Sequence, residues 1–508
     1  MSNKASDSLH RLIKSLTKPE KRYFKVFSSR HVIGDQNNYL VLFDAIDRQS
    51  EFDEAKLLKK FRNEPFVKRF SIAKSRLYNA ILKSLDAYHA NSSVEAQLKR
   101  QLHCAEILYN KSLYAQSQKL LNSARKTAIK HEKITTQIEI RKWEKRLMEK
   151  DNYEGISPES IEQIREDDRL LNRKLERFNE LWYMKSRMFQ HLYVKGKSRS
   201  AEEQERFGKI LEEFVLEIPE EEMVAENRYL LNHLNSAYYY GIGSYAECYP
   251  HLRRNLELIE QQPHLFREEP NIYLSVLTNA IFVASQLGKT DEALEMLERM
   301  KSLPSELEPV MTQDREIRMF SFIKSTELSL YTAARDFEAA GAVVTEIEEG
   351  LIRFDKKLSS VRKAFFYFNI SVLYFYQEHY NESLKWTNML LNNIDIDKTQ
   401  DIHCMAQLLN LIVHLELGNK SLLQYTIRST KRYLETRNKV YRFETIFLEF
   451  VNDLLRKRKS FTDAERYGEL AKALRPLRDD AFEKHAFEYF DFLTWAEGAA
   501  ARLNTQRA

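Results

Sequence analysis

At 508 residues the chain is longer than one compact core ordinarily grows, so it forms either several domains or one extended repeat array. Only 12 glycines and 10 prolines occur, 30% of residues are charged and 43% hydrophobic, a balance that excludes a disordered chain and favours helix, above all in the proline-free stretch between Pro309 and Pro476. The formal charge of +5 is uneven: residues 1–100 hold 20 Lys and Arg against 11 Asp and Glu, leaving the remainder acidic.

The polar start Met1–Asp7 does not resemble an export signal, so none is expected, and no apolar run reaches membrane-spanning length. Three scattered cysteines, Cys104, Cys248 and Cys404, argue for a reducing, cytoplasmic setting without structural disulfides. The basic end suits an acidic partner, nucleic acid or an acidic protein face, or is simply a solvated helical surface.

Residues 1–92 read as a basic N-terminal helical domain. Leu9–Leu16 is a short amphipathic helix. Thr17-Lys18-Pro19-Glu20 then restarts helix with a capping box, followed by an apolar stripe of Tyr23, Phe24 and Phe27 among Lys18, Lys21, Arg22 and Lys25. Gly34-Asp35-Gln36-Asn37-Asn38 is a loop. Further helices are expected at Tyr39–Arg48, Asp53–Arg62 and Ser71–His89, the last with Ile72, Leu77, Ile81, Leu82, Leu85 and Tyr88 at helical spacing. Asp53–Arg62 and Ser71–His89 can pair as a helix-turn-helix, with Lys68, Arg69, Lys74 and Arg76 entering the second helix, although Asn63–Phe70 is longer than the usual turn. Lys21, Arg22, Lys25, Lys68, Arg69, Lys74 and Arg76 are therefore candidate contacts to nucleic acid or another acidic partner. The alternative is a packed basic cap.

Residues 93–439 carry a repeating pattern. Its clearest copy is Ile281, Ala284, Gly288, Ala293, Leu297, Met300 and Pro304. The offsets recur from Ala105 through Leu108, Ser112, Tyr114 and Ser117, and again in Ser236, Tyr239, Gly243, Tyr245 and Cys248. Three more copies run from Leu328, Tyr331 and Ala340, from Ser371, Tyr374 and Ser383, and from Leu411, His414, Gly418 and Leu423. Turns near 290, 337, 380 and 420 lie 47, 43 and 40 residues apart, longer than the ~34 residues of the standard tetratricopeptide repeat.

The pattern resembles tetratricopeptide-type helical hairpins, and the whole chain is similar to bacterial proteins of that kind to which no partner is attached. A basic helical head ahead of such repeats is similar in outline to peptide-responsive bacterial DNA-binding regulators. The sequence departs from the family where Arg335 and Glu378 replace the turn glycine, where Pro250 falls inside a second helix, and across 126–210. There a Gly155–Pro158 break precedes a heptad-like series, Ile164, Leu171, Leu175, Phe178 and Trp182, which reads as an elongated hairpin. Residues 440–508 are helical and rich in aromatics, from Phe443 to Trp495, and read as the C-terminal cap that a repeat array requires. The expected fold is all-α, a right-handed α-solenoid with a helical head and a helical cap.

The chain has no glycine-rich phosphate loop, and Gly241-Ile242-Gly243 is a repeat turn. His103-Cys104 and His403-Cys404 lack any CxxC or HExxH companion and read as core cysteines beside surface histidines. Asp395-Ile396-Asp397 reads as a turn, and no nucleophile has an evident base and orienting acid. The expectation is a protein without catalytic, cofactor or metal site. What the resemblance implies is protein or peptide binding along a concave face lined by first helices, with Tyr239, Tyr331 and Tyr374 as candidate groove residues. A DNA-binding regulator using residues 1–92 is the alternative, and no membrane partner is expected.

Overall fold

The computed structural model describes residues 7–29, 38–212, 218–306, 311–355, 357–393, 401–437, 439–456 and 463–505. Of the loop expected over 34–38, residues 34–37 lie outside them, as does the turn at 395–397, and Asn38 is instead the first residue of a helix. Of the described residues 83% are helical, and no strand occurs among them. The chain divides into two compact units, Met1–Leu171 and Asn172–Ala508. Among the described residues no helix is long and apolar enough to cross a membrane.

The first unit opens with α1 (Ser8–Ser15), α2 (Lys18–Ser29), α3 (Asn38–Asp47), α4 (Glu54–Lys60), a 3-10 turn at Pro65–Arg69 and α5 (Phe70–His89). The capping box forms as expected: the Thr17 amide donates to Glu20 Oε2 (2.7 Å) while the Glu20 amide donates to Thr17 Oγ1 (3.4 Å). Helix α5 packs on α1, α2 and α3 around Ile13, Phe24, Phe43, Ile46, Leu77 and Ile81. Ile72, Leu82 and Tyr88, expected on its apolar stripe, are instead exposed, because the neighbouring helices cover only the face that carries Phe70, Leu77, Ile81 and Ser84. Next come α6 (Val94–Asn110), α7 (Tyr114–Lys130) and α8 (Ile134–Lys150), which share a core of Leu98, Leu102, Ala105, Leu121, Ala124, Ile140 and Leu147. The boundary between the units falls within α9 (Pro158–Lys195), a single helix of 38 residues.

The second unit continues with α10 (Ala201–Glu212), α11 (Ala225–Gly241), α12 (Tyr245–Gln261), the short α13 (Pro263–Phe266), α14 (Pro270–Gln286) and α15 (Thr290–Glu306). Then follow α16 (Gln313–Ala333), α17 (Phe337–Phe354), α18 (Ser360–Tyr376), α19 (Tyr380–Leu391), α20 (Asp401–Glu416) and α21 (Lys420–Glu435). The chain closes with α22 (Arg442–Arg456), α23 (Ala464–Arg478), a 3-10 turn at Lys484–Glu488 and α24 (Phe492–Thr505). Five hairpins, α11/α12, α14/α15, α16/α17, α18/α19 and α20/α21, pack in chain order, with α14 on α16, α16 on α18 and α18 on α20.

One local geometry recurs in each hairpin and in α6/α7. Take the first-helix residues Ala105, Ser236, Ile281, Leu328, Ser371 and Leu411, all buried. Seven positions on, Ser112, Gly243, Gly288, Arg335, Glu378 and Gly418 have φ between 58° and 72°. The next amide donates back to the carbonyl three residues after the starting position, as in Lys289 to Ala284 (2.9 Å) and His379 to Tyr374 (2.9 Å), which is the Schellman closure of a helix end. Twelve positions on, Ser117, Cys248, Ala293, Ala340, Ser383 and Leu423 are buried where the second helix crosses the first. Where that residue has a donor it bonds the first helix: Ser117 Oγ to Ala105 O (2.9 Å), Cys248 Sγ to Ser236 O (3.2 Å), Ser383 Oγ to Ser371 O (2.8 Å). Arg335 and Glu378 thus take the same left-handed turn without glycine, and α12 runs through Pro250.

On α9, Leu181, Met184 and Met188 are the buried residues, whereas Trp182, placed in the apolar series by its spacing, is half exposed. In the C-terminal elements Phe443, Phe447, Phe492 and Trp495 interlock, Phe443 and Phe492 at 4.7 Å between ring centroids. Phe490 also packs on Phe375 and Tyr376 of α18, at 5.1 and 5.4 Å.

Candidate functional site

The three candidate tyrosines occupy one equivalent place. Tyr239, Tyr331 and Tyr374 are the residues whose carbonyls accept the turn-closing amide, from Ser244, Asp336 and His379, each at 2.9 Å. All three rings are half-buried. Tyr239 stacks on His251 of its own hairpin (5.7 Å), Tyr374 lies against His379 (6.2 Å), and Tyr331 packs against both large hydrophobic clusters of the unit. Burial pushes the Tyr374 phenol upward, with Glu348 and Glu382 adding to it. The place is not always aromatic, since α14 has Ala284 there, and each ring first serves packing at its own turn.

The basic candidates of the head divide into two groups. Lys21 and Lys25 pair with Asp47 (2.6 Å) and Asp44 (2.8 Å) of α3, and Lys74 pairs with Glu54 while lying over the Phe52 and Phe70 rings. Arg22, Lys68, Arg69 and Arg76 are exposed, Lys68 and Arg69 on the 3-10 turn ahead of α5. The partners of Lys21, Lys25 and Lys74 are acids on α3 and α4 that the count of net charge conceals.

A third assembly has no counterpart among the candidate residues singled out by the sequence. Between α9 and α10 the non-helical segment 196–200 buries two cations, Lys197 and Arg199, whose side chains are 6% and 9% exposed. The Lys197 ammonium lies 4.1, 4.9 and 5.4 Å from the ring centroids of Tyr240, Tyr245 and Phe282 and bonds both the Tyr245 hydroxyl and Glu488. Tyr245 also donates to Glu488 (2.6 Å), and His485 Nδ1 is 2.8 Å from the same carboxylate. Two residues on, Arg199 bonds Glu444 (2.5 Å) and Glu483 (2.7 Å) and stacks over Tyr441 at 4.1 Å. The backbone is bound as well: the Ser198 amide donates to Gly241 O (2.9 Å), and Lys439, paired with Asp401 (2.9 Å), donates to Lys195 O. Gly243 closes the turn beside this assembly. A Cβ there would lie 2.2 Å from the His485 ring.

Electrostatics keep the first pair ionised. Burial works against the Glu488 carboxylate, but Lys197 and the His485 hydrogen bond outweigh it and hold the group down to about 2. Burial also works against the Lys197 ammonium, and Tyr240, Glu488 and Asp401 more than offset it. Burial drives His485 below its ordinary value despite Glu488, so it is neutral near pH 7. Nothing in the spacing of Lys197 and Arg199 announces burial, because two cations in a polar inter-helix segment normally face water. Their acids lie some 245–291 residues away in sequence.

His403 corrects an expectation. It is buried at 1% exposure, stacked 5.1 Å from Tyr433, whereas His103 is exposed beside Glu106 as expected of a surface histidine. Cys248 and Cys404 are buried, burial raising both thiols to about 12, and Cys104 is half-buried. Among the described residues no three or more His, Cys, Asp or Glu side chains are grouped as a metal site. Comparison of the sequence with models of known protein families finds no match, and comparison with curated proteins finds none either.

Proposed function

We propose that the chain is a non-catalytic interaction protein of the cytoplasm, in which hairpins α11–α21 form a tetratricopeptide-like right-handed solenoid that presents a groove to a peptide, a helix or a protein edge. The observation that supports this reading is the geometry shared by successive hairpins, a left-handed residue seven positions, and a buried crossing residue twelve positions, after each buried first-helix position. Identical turns and crossings make equivalent inter-helix angles, and equivalent hairpins packed in series leave equivalent faces of their first helices aligned. Such a row recognises an extended or helical segment and needs no reacting group.

The test starts with the full chain as bait in its native cell, followed by reconstitution with the purified partner. Tyr239→Phe, Tyr331→Phe and Tyr374→Phe together remove only hydroxyls. The expected result is 1:1 binding by calorimetry that weakens at least about tenfold in the triple variant. A partner that binds wild type and triple variant equally overturns the groove assignment, and failure to retain any protein or peptide overturns the interaction reading.

Exposed Arg22, Lys68, Arg69 and Arg76 favour a second reading, a nucleic-acid-binding head. Four phosphate contacts give a slope of log affinity against log salt of about −3.6 on duplex DNA. Gel retardation by the full chain, abolished in Lys68→Gln/Arg69→Gln/Arg76→Gln, supports it. Absence of retardation at low salt removes it.

A further inference from the structure

The segment 196–200 is held in the way a bound peptide is held. Its backbone amide at Ser198 is bonded, its alternate side chains Lys197 and Arg199 enter two adjacent seats, and each seat combines aromatic faces with carboxylates. Three rings and an acid around one ammonium is the geometry by which proteins capture alkylammonium groups. A planar guanidinium between two carboxylates over a phenol ring is the matching arrangement for arginine. The fit is imperfect on both sides, since Ser198 Oγ and Arg199 Nε of the occupant and His485 Nε2 of the seat are buried without a hydrogen-bond partner. A segment serving only to join two helices gains little from burying two cations, because well-packed apolar residues stabilise as well or better.

We propose that the seats around Lys197 and Arg199 form a recognition site for a basic peptide segment carrying Lys and Arg two residues apart, and that the chain's own 196–200 segment fills the site in cis. This rests on the interaction reading above and names the chemistry of the partner, a cationic segment of another protein. The tether keeps the internal occupant at high effective concentration, so the free site is a minor state that a partner must win. Binding in trans therefore exchanges one Lys-x-Arg pair for another and leaves the carboxylates paired throughout.

The probe is a fluorescent peptide with the sequence of residues 193–202, read by anisotropy against the full chain. Wild type is expected to bind it weakly and Lys197→Ala/Arg199→Ala at least tenfold more tightly, with the gain lost when Glu488→Gln and Glu444→Gln are added. Equal affinity in wild type and double variant, or a gain that survives the Glu→Gln changes, overturns the proposal. Should the double variant not fold, hydrogen exchange on the wild-type chain decides: millimolar peptide is expected to speed exchange of the Ser198 amide at least fivefold, and no change overturns the proposal. Because the probe is a defined peptide, its failure beside successful capture of a partner by the tyrosine row would remove this site alone and leave the interaction reading standing.

Discussion

At the scale of single residues, backbone conformation and burial make the sharpest claims. Glu378 holds φ 62° on an exposed turn, a region that costs an L residue about 1–2 kcal/mol and glycine almost nothing. Glycine also gives up more freedom on folding, so Glu378→Gly is expected to stabilise by a net of about 0.5–1 kcal/mol in urea unfolding. Gly288 is the converse case: φ is 72° and an added Cβ meets nothing within 4 Å, so the dihedral alone sets the effect of Gly288→Ala, a loss of about 1 kcal/mol. Should the two substitutions shift stability in the same direction, the left-handed turn is not what the hairpins share. His233 gives a pH prediction. Burial, with Lys185 adding to it, lowers this histidine to about 4, and the ring is stacked between Phe189 and Tyr229. The native state keeps it neutral while the unfolded chain takes a proton near pH 6.5, so its contribution is full above pH 6.5 and falls away toward pH 4. His233→Phe keeps the stack and removes the titration. The variant is expected to lose on the order of 3 kcal/mol less than wild type between pH 6.5 and 4, measured by denaturant midpoints across that window.

Between elements, the crossing residues decide how closely two helices approach. Ala293 is fully buried where α15 crosses α14, and its counterparts are serine, cysteine, alanine and, in α21, Leu423. Ala293→Leu adds three carbons to a site without space and is expected to cost about 1–3 kcal/mol, read from the denaturation midpoint. A loss below about 0.5 kcal/mol would mean that the crossing is loosely packed. Helices, turns and these crossings were legible in the sequence because each is written within about a dozen residues: a small or apolar residue, a turn, a small residue. The offsets even placed Arg335 and Glu378 at turns that lack glycine, since spacing persists when residue type changes. The outward faces of long helices were less legible. Trp182, Ile72 and Leu82 have apolar spacing but no neighbour to bury them, and whether a neighbour arrives is settled by tertiary packing and not by periodicity. His403 failed in the opposite direction, a histidine drawn inside by a tyrosine on the next helix.

For the second unit as a whole, the contacts least legible in the sequence are the ones that tie its first hairpin to its last elements. Pairing between Lys197 and Glu488 or between Arg199 and Glu444 has no local signature, because burial there depends on three chain segments meeting. In a series of hairpins that touch only their neighbours, terminal elements open more readily than central ones. Here the elements at both ends share a buried ionic contact, so amides of α11 and α22 are expected to be protected about as well as those of α16 and α18. Removing one partner of a buried pair leaves the other charge without compensation and costs about 3–5 kcal/mol. Arg199→Met keeps most of the side-chain bulk and strands Glu444 and Glu483. Burial already pushes Glu444 upward against the pull of Arg199, so the variant's Glu444 is expected to take up a proton at higher pH still. In native-state hydrogen exchange, α22 and the turn at Lys484–Glu488 should then open at least a hundredfold more often, while α16 and α18 keep their wild-type rates. If all of these helices accelerate together, the unit opens as one cooperative block. If none does, the arginine contributes nothing to holding the ends, and the stability of α22–α24 resides in the interlocked rings of Phe443, Phe447, Phe492 and Trp495.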